Sequence, residues 1–567
     1  MKPFLFSFLS LIILFGCTET NEKQKNVAMC APVVTDSDWY TSDNKAPLFE
    51  GMGDLSFPIS TNNELAQQYF NQGLVLAYGF NHAEAARSFY YASKLDSTAA
   101  MTHWGFAYVL GPNYNAGMEP DNYERAYLAI QKAKALINLQ TPQKETDLIN
   151  ALAKRYVASP VDDRSQFDKA YSIAMDSLYL KYPNDADIAS LYAESVLDLH
   201  PWDLWTPSGN PQEWTINILA ALKNALKIDP KHPGAHHFYI HTLEASPNPE
   251  NALESANFFD DGLVPNAGHL VHMPSHIYIR TGDYHKGTLS NIQAIAVDSS
   301  YVTACHAQGA YPLSYFPHNQ HFMAATATLE GNSKMAIYAA DAVAANANLL
   351  LMKEPGWGTI QHYYTIPYYV YVKFGKWDKI LKLTNKAEGL NYPKAIEHYA
   401  KGMAYLGKGK NSKAREELNA LNKIASLESL KEITIWDINT VYDLVKVAQN
   451  VLHGELLNKQ GHFKESIEHF SKAVIIEDNL NYNEPPDWFF SVRHHLGAVQ
   501  IEAGMYNEAV ATYKEDLKRL PKNGWALNGL TSAYENLKDE EAALATKKKF
   551  QKAWATADVE LKASLAR

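Results

Sequence analysis

Self-similarity at a spacing of about 34 residues constrains this chain more than any other feature. In residues 447–480, Gly454, Leu457, Gly461, Ser466, Phe470 and Ala473 recur as small, apolar and turn positions. The stretch from Phe490 repeats the pattern with Gly497, Gly504, Ala509, Tyr513 and Pro521. Gly73, Ala85, Phe89 and Ala92 give an earlier copy, and Gly402, Tyr405, Gly409 and Ala414 another. Each unit reads as two antiparallel helices: small residues let them approach, and a Phe or Tyr plugs the gap to the next pair. One hairpin cannot bury its apolar face alone, so such units stack. The 567 residues exceed a single compact core of ~250–300, and a repeat array accommodates that length. Gly282, Gly331 and Gly375 read as turns between paired helices, and Pro230 and Pro265 as helix exits. Repeats are therefore expected to open near residues 66, 233, 268, 317, 361, 395, 447, 490 and 524. Met118–Asp229 and Val297–Phe316 fit this frame poorly and are expected to be extra or elongated helices and functional loops. The charged tail Glu535–Arg567 reads as a solvated capping helix.

These units resemble the tetratricopeptide repeat, which implies an all-α solenoid, a right-handed superhelix of helical hairpins with inserted helices in the middle. Indexing residues by repeat then exposes a column of histidines. Positions 2, 5, 9 and 12 of each first helix share one stripe by the 3.6-residue period, and in tetratricopeptide proteins that stripe lines the concave groove. Here it carries His237, His241 and Glu244, then His269, His272 and His276, then His318 and His321, then His362, and later His494. Twenty-one histidines in 567 residues would place about one in the 27 slots at positions 2, 5 and 9, and nine are found.

His237/His241 and His272/His276 are i,i+4 pairs, each able to present two imidazoles on one helical face. Lying 35 residues apart, the pairs should occupy neighbouring helices about 8–10 Å apart, where they could converge on one ion. Glu244 adds a carboxylate one turn beyond His241. A His-rich, thiolate-poor set suits zinc, copper or iron rather than calcium or magnesium. The expected metal ligands are His237, His241, Glu244, His272 and His276, with His269, His318, His321 and His362 lining the groove. Two plainer readings stay open: metal-free recognition of a peptide or anion, and buried packing. His494 is assigned to packing or surface, and His82, His103 and His200 fall off the stripe. Trp202, Trp205 and Trp214, with Tyr363, Tyr364 and Tyr368, read as core packing more than as pocket walls.

The runs His269-Leu270-Val271-His272-Met273-Pro274-Ser275-His276-Ile277-Tyr278, Pro317-His318-Asn319-Gln320-His321-Phe322 and His237-Phe238-Tyr239-Ile240-His241-Thr242-Leu243-Glu244 resemble signatures of a bacterial tetratricopeptide-repeat family over about Leu65–Tyr371. That resemblance implies a fold and no settled activity. No phosphate loop, Gly-x-Ser-x-Gly elbow or His-Glu-x-x-His helix is present in the sequence.

At the other end of the argument stands the N-terminus. Lys2 and the apolar run Phe4–Phe15, too short for the ~20 residues of a spanning helix, read as an export signal. Leu14-Phe15-Gly16-Cys17 looks like a bacterial lipobox with Cys17 lipidated, and Thr18 fits outer-membrane sorting. The expected divisions are 1–17 signal peptide, 18–60 tether and arm, 61–390 His-rich repeat domain and 391–567 C-terminal array. Cys30 and Cys305 are left as a disulfide, as inert thiols, or with Cys305 beside His306 as a soft ligand. A net charge of -11 without a basic block argues against nucleic acid as a partner. The expected function is a lipid-anchored envelope protein whose His-lined groove binds a transition metal, with any enzymatic activity left open. The alternatives are a metal-free scaffold gripping a peptide or protein at the outer membrane, and a small-molecule binding lipoprotein.

Overall fold

A computed structural model describes residues 39–40, 44–206, 208–305, 316–561 and 563–565. Cys17, Cys30, His306 and the side chain of Cys305 lie outside the described residues. The fold is all-α: 67% of the residues are helical, and among the described residues the paired strands are the short Thr434–Ile435 and Asn439–Thr440. Antiparallel helix pairs stack one on the next, which makes the molecule a tetratricopeptide-type α-solenoid.

The repeat residues do what their sizes dictate. The helix Glu64–Tyr78 starts where the Asn63 side chain accepts from the backbone N–H groups of Leu65 and Ala66, with Glu64 complementing the helix N-terminus. Phe89, on the partner helix His82–Leu95, is fully buried against Gly73 of its own pair and Gly105 of the next helix. A Cβ at Gly105 would fall 2.3 Å from that ring, so the small residue and the aromatic plug are one device. Burying such a ring stabilises by about 1.5–3 kcal/mol. Tyr513 sits in the same way between Gly497 and Gly529.

Every helix start inferred from the repeat frame lies at or within a few residues of a helix that the structure contains, including Pro233–Glu244, Phe316–Leu329, Gly358–Lys373 and Gly524–Leu537. Gly282, Gly331 and Gly375 take positive φ of 76°, 83° and 63° at the expected turns. The extra helices expected in residues 118–229 are present as Asn122–Leu136, Gln143–Leu152, Ser165–Lys181, Ala186–Leu197 and Glu213–Ile228, which continue the stack without the repeat's residue template. Val297 lies inside the elongated helix Tyr284–Cys305, and residues 306–315 lie outside the described residues.

The C-terminal tail is also more than a solvated cap. After Glu540–Ala553 the chain turns back, and Asp558 accepts from the Ser333 and Lys334 N–H groups at 2.6 and 3.0 Å, capping the helix Ser333–Ala345. Trp525 Nε1 donates to the Thr328 carbonyl at 2.9 Å, and the Tyr284 hydroxyl donates to the Pro521 carbonyl at 2.7 Å. The last repeats therefore close against the middle of the chain. Buried apolar side chains form two large clusters, one spanning Phe57 to Tyr278 and the other Ile279 to Trp525. The histidine column runs through the junction between them.

Candidate metal centre

The first of the column's helices, Pro233–Glu244, is buried along every face. His232 caps it, its Nδ1 accepting from the Ala235 N–H at 3.0 Å, and Pro233 follows in the first turn. The second is interrupted. Gly268–His272 and Pro274–Thr281 are separated at Met273, because Pro274 has no N–H to continue the ladder. Gly268 is required there by close approach: a Cβ would fall 1.8 Å from Asp298 Oδ1. Pro233–Glu244, these two segments and Phe316–Leu329 together bring six imidazoles into two groups.

They form two trios, each with ligand atoms within 4.8 Å of one another. In the first, His237 Nε2 lies 3.2 Å from His269 Nε2, and His241 completes the set. His237 Nδ1 is 2.5 Å from the Tyr78 carbonyl, which can only accept, so its proton sits on Nδ1 and Nε2 carries the lone pair. His241 Nδ1 donates to Glu244 Oε1 at 2.9 Å. Its Nε2 is buried without a hydrogen-bond partner.

The second trio is His272, His276 and His318. His272 Nδ1 donates to Asn291 Oδ1 at 2.7 Å, and the amide of Asn291 is oriented by donating to the Gly287 carbonyl. His272 Nε2 and His276 Nε2 face each other at 2.9 Å. His276 Nδ1 donates to Glu244 Oε2 and lies 3.2 Å from Glu484 Oε2. Glu244 thus spends one oxygen on an imidazole of each trio. Glu244, expected from the sequence as a ligand, also stands with His276 and Glu484 in a third group whose ligand atoms lie within 4.8 Å of one another.

Two imidazole nitrogens bound at about 2.0–2.1 Å to one ion lie about 2.9–3.4 Å apart at ordinary coordination angles. Both observed Nε2 pairs fall in that span. An N–H···N hydrogen bond has a similar length, so the pair distances alone do not decide. His241 Nε2 is buried without a hydrogen-bond partner, as are both ring nitrogens of His321 and Nε2 of His362, each at a cost of about 1–3 kcal/mol unless something binds it. The imidazole–carboxylate and imidazole–carbonyl contacts on the far nitrogens are the arrangement that fixes metal-binding tautomers.

Electrostatics favour neutral, ligating rings in the first trio. Burial holds His237 and His269 well below the ordinary imidazole value, and neighbouring imidazoles add to the effect. Burial also lowers His241, with Glu244 opposing. In the second trio burial depresses His272 and His318. His276 differs: burial lowers it, but Glu244 and Glu484 prevail and hold it at about 9. Burial raises Glu244, yet His276 and His241 bring it down to about 2. Without an ion, a His276 imidazolium donating to His272 satisfies that pair.

The column does not line an open groove. His237, His241, His269, His272, His276, His321 and His362 are all buried, because residues near 480–490 and aromatic rings pack over them. Glu484 reaches His276, and Phe489 stacks on His321 at 5.1 Å. Phe80 covers His237 and His241, Trp202 and Tyr114 flank His241, and Trp436 faces His318. Phe80, Trp202 and Trp436 all hold positive φ, between 53° and 60°, a conformation costly for bulky residues. Backbone strain is gathered at this wall. Trp202 is therefore a wall residue, whereas Trp205 donates to the Thr242 carbonyl and Trp214 stacks on His200.

His321 and His362 stand apart from both trios, 5.4 Å from each other, with His362 Nδ1 2.7 Å from the Tyr392 hydroxyl. His494 is a packing residue, between Lys373 at 2.8 Å and Asp516 at 3.1 Å. Sequence spacing gave no hint of Glu484, Asn291 or Tyr78. A cleft of about 470 Å³ opens onto His269 past Phe49, Met52, Asn81 and Val297. A much smaller one of about 80 Å³, lined by Lys373, Trp377 and Trp488, shares no residue with the trios.

No protein-family model matches the chain, and comparison with curated proteins finds no match. Among solved structures it is similar to the human IFIT1 dimer with m7Gppp-AAAA, at 13% identity over 88% of this chain and 92% of that one, with a TM-score of 0.30. It is also similar to the APC/C hetero-tetramer Cut9–Hcn1, at 14% identity over 88% and 76% with a TM-score of 0.28.

Proposed function

We propose that this chain is a transition-metal-binding helical-repeat protein in which His237, His241 and His269 hold an ion of zinc, copper or iron. The observation that carries the reading is the convergence of His241 Nε2, buried without a hydrogen-bond partner, with His237 and His269, while Nδ1 of His237 and Nδ1 of His241 are each tied to an oxygen acceptor. The ligands are neutral imidazoles, the donor type these three metals share. The sequence adds a lipid anchor at Cys17, which would tether the protein to a bacterial envelope, at the outer membrane. No described helix is long and apolar enough to cross a membrane.

Elemental analysis of protein purified without a polyhistidine tag tests the metal. A stoichiometric ion is expected, lost in the His237→Ala, His241→Ala double variant. Trace metal unchanged by that variant refutes the reading. For the anchor, Cys17→Ala should move the protein from the membrane to the soluble fraction, and unchanged fractionation refutes it.

The helical-repeat scaffold also fits a protein-interaction role. Ile173 and Leu180 point outward, 58% and 73% exposed, seven residues apart on the helix Ser165–Lys181. Partner capture that survives chelation and fails when both become Asp would assign that role to the outer face.

A further inference from the structure

The two trios are built alike and joined by one side chain. Each has an imidazole pair with facing Nε2 atoms, at 3.2 Å in one and 2.9 Å in the other. In each, two of the three rings have Nδ1 held by an oxygen acceptor: the Tyr78 carbonyl and Glu244 in the first, Asn291 and Glu244 in the second. Across the divide the rings remain neighbours, His241 to His276 at 5.7 Å and His269 to His272 at 5.8 Å between centroids. A carboxylate whose two oxygens each fix one ring cannot move for one trio without disturbing the other.

We propose that the six imidazoles form a single two-ion centre: His237, His241 and His269 bind one first-row transition ion, and His272, His276 and His318 bind a second beside it. The inference rests on the metal-binding reading above and adds the second ion and its closeness to the first. Glu244 and Glu484 stay outside the coordination sphere. Glu244 aligns His241 and His276, and Glu484 supports His276 from the far side. The ligand set is first-row ions at imidazole nitrogen, with copper as the tightest divalent probe. The cleft at His269 is the route by which ions, and a small exogenous anion such as azide, reach the pair.

Copper(II) added to chelator-stripped, untagged protein, followed by gel filtration, tests the proposal without depending on any variant. Two coppers per chain are expected by elemental analysis, with an electron paramagnetic resonance spectrum broadened by dipolar coupling and carrying a half-field transition, because two copper(II) spins a few ångströms apart couple through space. His272→Ala with His318→Ala should retain one copper with the sharp spectrum of an isolated ion, circular dichroism confirming the helical fold. Two retained coppers with isolated-ion spectra and no half-field transition overturn the pairing, since the ions would then be independent. One copper per chain overturns the second ion and leaves the metal-binding reading standing. No retained copper defeats that reading as well.

Discussion

Replacing Lys373 with Met should remove a specific slope from the stability-versus-pH curve. Lys373 ends the helix Gly358–Lys373, its Nζ 2.8 Å from His494 Nδ1 and 4.0 Å over the Trp525 ring. Burial pushes its pKa from 10.5 down to about 7, with Asp516 opposing. Between those values the unfolded chain holds the proton and the folded chain does not, so unfolding free energy rises with pH. The stability is fully present above about pH 10.5 and is lost as pH falls towards 7. The whole window is worth up to about 5 kcal/mol, and the part between pH 7 and 9 about 2 kcal/mol. The variant lacks this contribution but leaves His494 Nδ1 without its donor, a loss of about 1–3 kcal/mol that is independent of this titration. The difference between native protein and variant should therefore grow in favour of the native protein by about 2 kcal/mol from pH 7 to 9. Urea unfolding at both pH values, followed by circular dichroism, measures it. Parallel curves would show that Lys373 is not held neutral and would refute the reasoning.

Glu244→Ala removes the acceptor for His241 and should weaken metal binding at the first trio about 10–100-fold, measured by competition with a chromophoric chelator; affinity within twofold of native would exclude its orienting role. Arg155 is buried between Asp168 at 2.9 Å and Asp198 at 2.6 Å, so Arg155→Met should cost about 3–5 kcal/mol by stranding two carboxylates, read as a lower urea midpoint. Phe489→Ala removes the ring stacked on His321 and should cost about 3–5 kcal/mol; a thermal midpoint within a degree of native would show that residues near 480–490 do not clamp the column.

The solenoid was legible because its determinants are local. Gly73 with Phe89 and Gly497 with Tyr513 are size relations at fixed spacing, and Gly331 and Gly375 mark turns that need positive φ. The histidines were legible for the same reason, since a helical period carries His237 to His241 and a repeat carries both towards His272. The extra helices expected between residues 118 and 229 pack through apolar contacts without the template's punctuation, so spacing could not place their ends. One feature broke the inference. The expected groove is filled by Glu484 and Phe489, which come from far along the chain and carry no motif. The four histidines expected at one site fall into two trios, with Glu244 touching an imidazole of each. Pro274 divides the second helix, and His269 and His318, placed in the groove by sequence, complete the sets.

The return of the C-terminal repeats onto residues 282–334 turns chain order into timing. Along the chain, both imidazole trios precede Glu484, Phe489, Trp525 and Asp558, which enclose them. Contacts this distant in sequence form late, after local hairpins are in place. During folding the histidines therefore pass through an open interval, which ends only when the segment from Glu484 onward shuts over them.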